Sequence, residues 1–168
     1  MEKTFYLLLL ILLMSNESYT QTAEDYFYAG TEKNELENYT GAISDFNKAV
    51  EIDSNFSRAY FNRGYSKSKL GDLRGSISDF TKVIQLDPME IDAYHYRGLL
   101  EYDLDRIELA TKDFSKVIEL DPKYSEAYYY RGWCFFAFLM QEEACQEWSK
   151  AGELGYSDAY TTIKKNCN

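Results

Sequence analysis

Few side chains in this sequence could do chemistry. His95 is its only histidine, so any imidazole-based set of nucleophile, base and orienter must use it. The spacing of Cys134, Cys145 and Cys167 fits no zinc pattern. No glycine loop could cradle a phosphate, and no carboxylates cluster as metal ligands. No catalytic, metal-binding or cofactor-binding residue is therefore assigned, no cofactor is expected, and an enzyme is not expected. Cys145 and Cys167 have residue 156 as their midpoint. If two antiparallel helices turn there, residues equidistant from the turn face each other, and an oxidising compartment could join them. Closing that loop would contribute roughly 3 kcal/mol in the chain-entropy view. Cys134 lies in the largely apolar stretch Tyr128–Met140 and reads as a small core residue. A reactive thiol is the sharper alternative.

Charged side chains recur at regular intervals. Arg63, Arg97 and Arg131 form one row, and Asp45, Asp79, Asp113 and Glu147 another. Pairing each acid with the arginine 18 residues ahead gives Asp45–Arg63, Asp79–Arg97 and Asp113–Arg131. That choice accounts for Ala29 in the first arginine place, which no acid precedes. Structural ion pairs across unit junctions are expected, since pairing within units would leave Asp45 unexplained. Breaking a partly buried pair is costly because the survivor is left uncompensated. An exposed pair contributes under about 1 kcal/mol.

These rows follow from a repeat. Residues 57–90 match residues 91–124 at 13 of 34 places, and a period of this length means stacked supersecondary units. Tyr26, Tyr60, Tyr94 and Tyr128 fall in register, as do Gly30, Gly64, Gly98 and Gly132, and Phe46, Phe80, Phe114 and Trp148. Leu73, Ile77, Phe80, Val83 and Ile84 follow mostly three- and four-residue steps, one face of a helix. Gly71-Asp72 starts a turn, and Asp87-Pro88 ends the second helix. A glycine inside a helix costs roughly 1 kcal/mol against alanine, so four in register imply a neighbour too close for a side chain. The units are 23–56, 57–90, 91–124 and 125–158, followed by a capping helix at 157–165 that turns Ala159, Tyr160 and Ile163 inward. Residues 21–168 would then form one domain.

Net charge is −10 with a pI near 4.6, which argues against nucleic acid as a partner. Met1–Thr20 stands outside the repeat. Lys3 and the apolar run Phe5–Met14 resemble a secretory signal peptide, and the run is shorter than the roughly 20 residues of a membrane span. Cleavage of residues 1–20 and export, to a periplasmic or extracellular place with envelope association as an option, are expected. No membrane span would remain. An uncleaved arm docking on the first repeat is the alternative.

The shared letters are A-Y-x-x-R-G and D-F-x-K-V-I-x-L-D-P. With the 34-residue length and the aligned aromatic, glycine and small residues, they resemble the tetratricopeptide repeat family over Ala23–Asp158. Ser54, Ser76 and Tyr156 depart from that pattern. The resemblance implies an all-α, right-handed α-solenoid of four helix–turn–helix units with a C-terminal capping helix. A similar Cys-bracketed ending occurs in exported bacterial members, which favours the Cys145–Cys167 bridge. The family's groove is lined by the first helix of each unit. Carried over residue by residue, its candidates here are Phe27, Arg58, Phe61, Tyr65, Lys69, His95, Leu99, Tyr102, Tyr129, Trp133 and Phe136. His95 shares its repeat place with Phe27, Phe61 and Tyr129, so it reads as a surface or groove side chain rather than a base. The Lys/Asn clamp with which members grip chaperone tails is not matched, because Phe27 and Thr31 stand in its places. The expected function is a non-enzymatic scaffold that binds an extended peptide or partner helix of another protein in an aromatic groove. Alternatives are a glycan or small-molecule binder using stacked Tyr and Trp, or a structural subunit of an envelope assembly that forms a homo-oligomer. Trp133 and Phe136 could also be covered by the end of the superhelix.

Overall fold

The computed structural model describes residues 21–167. The expected leader, residues 1–20, lies outside the described residues. Nine helices and no strand occur among them. They are α1 (Ala23–Glu35), α2 (Tyr39–Ile52), α3 (Ser57–Lys69), α4 (Leu73–Leu86), α5 (Ile91–Asp103), α6 (Ile107–Leu120), α7 (Ser125–Ala137), α8 (Gln141–Glu153) and α9 (Asp158–Asn166). Each helix packs on the next in the chain, and the first helices α1 and α3, and α5 and α7, also touch. The result is an all-α solenoid with a C-terminal helix.

Local chemistry sets the ends. Thr22 accepts a hydrogen bond from the Asp25 amide at 3.2 Å while Asp25 accepts from the Thr22 amide at 2.8 Å, which closes a capping box at the start of α1. Asn38 and Asp72 accept from the Gly41 and Gly75 amides. Every first helix ends on a residue in the left-handed region: Glu37, Gly71, Asp105 and Leu139, with Gly155 repeating the device after α8. Only two of these five are glycine, so the other three carry the left-handed penalty of an L-residue. After the second helices, Asp53, Asp87 and Asp121 each accept from the amide two residues on at 2.9 Å, an Asx turn that reverses the chain.

The core is built from repeat places. Phe46, Phe80, Phe114 and Trp148 are fully buried. The in-register glycines face these rings. A Cβ on Gly30 would lie 2.7 Å from Phe46, on Gly98 2.9 Å from Phe114, and on Gly132 2.5 Å from Trp148. Close helix approach is thus the reason for glycine there. Ser76, which replaces a small alanine, is fully buried and donates to the Gly64 carbonyl at 2.7 Å, so its hydroxyl is satisfied.

Candidate functional site

The arginine row does not pair as the sequence suggested. Arg63 binds Asp79 through Nε and Nη2 at 2.9 and 2.6 Å. Arg97 binds Asp113 at 2.8 and 2.7 Å, and Arg131 binds Glu147 at 3.1 and 2.7 Å. These forked pairs lie within units, not across junctions as expected for Asp45–Arg63, Asp79–Arg97 and Asp113–Arg131. Asp45, the residue that argued for the other pairing, bonds to Lys33 one turn beyond Ala29. The junction is crossed by the third guanidinium nitrogen. Arg63, Arg97 and Arg131 donate from Nη1 to Asn47, Thr81 and Ser115 of the preceding unit. Sequence spacing missed this because the acceptors are neutral and chemically different. Burial lifts the Asp113 carboxyl above its ordinary pKa, while hydrogen bonds to Asp113 raise Arg97. Desolvation therefore offsets much of the attraction, as in other buried pairs.

The groove candidates separate into covered and open places. Phe27 is buried, its ring 5.0 Å from Phe56, with the Arg58 guanidinium 4.7 Å above it. His95 is 4% exposed and packed among Tyr96, Phe114, Tyr124 and Tyr130. It is neither a surface nor a groove side chain. Its Nδ1 has no hydrogen-bond partner, its Nε2 stands 3.6 Å from Glu126, and burial lowers its pKa to about 4 against the raising effect of Asp92. The cause is the residue that closes the turn after each second helix, which ends the first three units and is Tyr156, two places earlier, in the shortened last turn. Phe56 folds over Phe27, Tyr124 lies 5.1 Å from His95, and Tyr156 lies 4.5 Å from Tyr129. In the second unit that place holds Glu90, which leaves Phe61 half-buried and open to solvent.

Tyr129, Trp133 and Phe136 are half-buried. The Tyr129 hydroxyl is 3.2 Å from Thr162 Oγ1 on α9. The Trp133 ring meets Trp148 at 5.0 Å and Phe136 at 5.8 Å. Leu99 and Tyr102 pack against the core cluster around Phe114. Tyr160, expected inward, is largely exposed, yet its hydroxyl donates to the Gly152 carbonyl at 3.0 Å. Thr162 takes the inner face beside Ala159, three residues on along the same side of the helix.

Two hollows flank Phe61. One, of about 420 Å³, is lined by Thr31, Asn34 and Glu35 of α1, Phe61, Asn62 and Tyr65 of α3, and Tyr96 of α5. The other, of about 220 Å³, is lined by Ser57, Arg58, Phe61, Asn62, Val83, Glu90 and Asp92. Phe61 and Asn62 are common to both. In the first, the Tyr96 ring is 5.7 Å from Phe61 and 6.0 Å from Tyr65, each nearly perpendicular. Asn62 and Tyr96 were missed by the carried-over places. A signal existed: their shared place holds Tyr28, Asn62, Tyr96 and Tyr130, and the second-unit asparagine is the polar exception. Tyr96 stacks on Phe80, and Tyr130 on Phe114.

Cys145 and Cys167 form a disulfide that ties α9 to α8. Cys134 is fully buried, and burial pushes its thiol up to about 11, which makes it inert at neutral pH. No helix among the described residues is long and apolar enough to cross a membrane.

Family profiles described as TPR repeat match residues 30–71, and those described as tetratricopeptide repeat match 57–88, 91–124 and 126–154. A search of curated proteins finds no significant match. Among solved structures, the crystal structure of MamA protein superposes with a TM-score of 0.80 at 23% identity, covering 84% of this chain and 78% of that one. MamA 41-end from Desulfovibrio magneticus RS-1 gives 0.77 at 20% identity, with 83% and 78% covered. The first TPR of Spaghetti (RPAP3), solved bound to an HSP90 peptide, gives 0.68 at 25% identity, with 71% and 95% covered. Helix pairs, aligned glycines and profile matches agree that this chain belongs to the tetratricopeptide repeat family, a protein-interaction scaffold.

Proposed function

We propose that this protein is a non-enzymatic interaction module that binds an extended segment of a partner protein on its first-helix side, centred on Phe61. The observation that carries this reading is the pair of adjoining hollows sharing Phe61 and Asn62. An extended chain alternates its side chains from face to face, and two pockets either side of one ring suit that alternation. Asn62 Nδ2 donates to the Arg58 carbonyl at 3.1 Å, which leaves its carbonyl oxygen as an acceptor for a peptide amide. The Arg63, Arg97 and Arg131 pairs act as struts that hold successive units at a constant pitch. Export is part of the proposal. A disulfide at the cap suits an oxidising compartment, as does the apolar run Phe5–Met14.

A photocrosslinking side chain placed at Asn62, and separately at exposed Lys48 on α2, tests the reading in envelope extracts. A partner captured from position 62 and not from position 48 supports it. Capture from position 48 alone moves the interface to the second-helix side and refutes it. A second reading, self-association at the α7–α8 turn, is favoured by exposed Phe138, Leu139 and Met140. Sedimentation of the purified protein decides that one.

A further inference from the structure

We infer that the Phe61 window selects a basic segment, a stretch of extended chain whose lysine or arginine side chains enter the two hollows. This inference rests on the groove reading above and adds the chemistry of the ligand. The larger hollow sets the Phe61 and Tyr65 rings each nearly perpendicular to Tyr96, beside Glu35. Ring faces are negative and attract cations, and a carboxylate at the rim adds charge that an ammonium or guanidinium complements.

The smaller hollow carries Glu90 and Asp92. Its one cation, Arg58, is already engaged by Glu24 at 3.2 Å and by the Phe27 ring. Glu35 and Glu90 have no ion-pair partner among the described residues. Among the lining residues, the charge without an ion-pair partner is therefore negative on both sides of Phe61, Glu35 in one hollow and Glu90 in the other. The chain itself supplies a sample of the expected ligand. The Lys69 ammonium lies 5.0 Å over the Tyr65 ring, and Tyr65 raises its pKa, first through hydrogen bonding. Lys69 is an internal competitor for the site rather than a contact for an acidic peptide.

That last distinction gives the test its sign. Three fluorescein-labelled nonapeptides alternate threonine with lysine, glutamine or glutamate, and anisotropy is read with the purified protein at 150 mM salt, where surface charges are screened beyond about 8 Å. The lysine peptide should bind most tightly. Glu35→Gln/Glu90→Gln should weaken it about tenfold, the upper scale of two exposed ion pairs. Lys69→Gln should tighten it about threefold. Glu51→Gln/Glu108→Gln, on the second helices, should leave it unchanged. Equal or tighter binding of the glutamine or glutamate peptide overturns the inference, as does weaker binding by Lys69→Gln or equal loss in the second-helix control. Asn62→Ala/Tyr65→Ala separates the two proposals. Loss of the lysine peptide in this variant supports both, whereas loss of a tighter-binding glutamine or glutamate peptide keeps the groove and discards only the charge preference. No peptide binding, or binding indifferent to Asn62 and Tyr65, discards both.

Discussion

Replacing His95 by phenylalanine probes how the third and fourth units are joined. The imidazole is sealed by Tyr96 of its own helix, Phe114 of α6, Tyr130 of α7 and Tyr124 in the preceding turn. Asp92 and Glu126 are the charged groups that face it. Burial holds its pKa near 4, against 6.5 for an ordinary histidine. Between those values the unfolded chain binds a proton that the folded chain does not. Stability therefore rises with pH through this window and is lost as pH falls from 6.5 toward 4. Integrating the linkage from pH 7.5 to 4.5 gives a loss of about 2.5 kcal/mol from this one group. His95→Phe removes that loss and the unpaired Nδ1, which itself costs about 1–3 kcal/mol when buried. Urea unfolding of both proteins at the two pH values measures the effect. The variant should match or exceed the parent at pH 7.5 and exceed it by about 2 kcal/mol more at pH 4.5. Burial lifts the Glu126 carboxyl, so the same pair on a Glu126→Gln background removes its contribution. Equal pH slopes for parent and variant would refute the claim that the imidazole is desolvated.

Four further perturbations read other parts of the structure. Arg97→Ala strands buried Asp113 and should cost about 3–5 kcal/mol in chemical unfolding, whereas Arg97→Met/Asp113→Leu should recover most of it. Gly132→Ala drives a methyl against the buried Trp148 indole, whose Nε1 donates to the Tyr129 carbonyl at 3.1 Å. A loss of about 1–3 kcal/mol with altered tryptophan fluorescence is expected. Leu139→Gly relieves a left-handed residue whose side chain is 92% exposed and should raise stability by up to about 1 kcal/mol. Reducing Cys145–Cys167 reopens a 22-residue loop and should lower stability by about 3 kcal/mol. A melting temperature unchanged by reductant would contradict that figure.

Much of the scaffold was legible in the residues. The 34-residue period, the glycine and aromatic rows and the turn residues each act within a helix or between adjacent helices, so spacing alone reports them. Spacing made the Cys145–Cys167 bridge possible, because a hairpin turns a sequence midpoint into a spatial one, and the family resemblance favoured it. The arginine pairs were misread where two partners stood at nearly equal separation, 16 and 18 residues away. Only the rotation of one helix against its neighbours chooses between them, and Lys33 entered from a place not in that row.

The open part of the groove lay furthest from view. Phe27, Phe61, His95 and Tyr129 share one repeat place, and a row of that kind invites one assignment for all four. The tertiary structure divides them by what the next turn lays on top: Phe56, Glu90, Tyr124 and Tyr156 in order. Sequence determined that these side chains lie on one face of the first helices, because that follows from helical periodicity. Burial was decided by packing between units, which seals Phe27 and His95 beneath neighbouring rings and leaves Phe61 and Tyr129 half-buried.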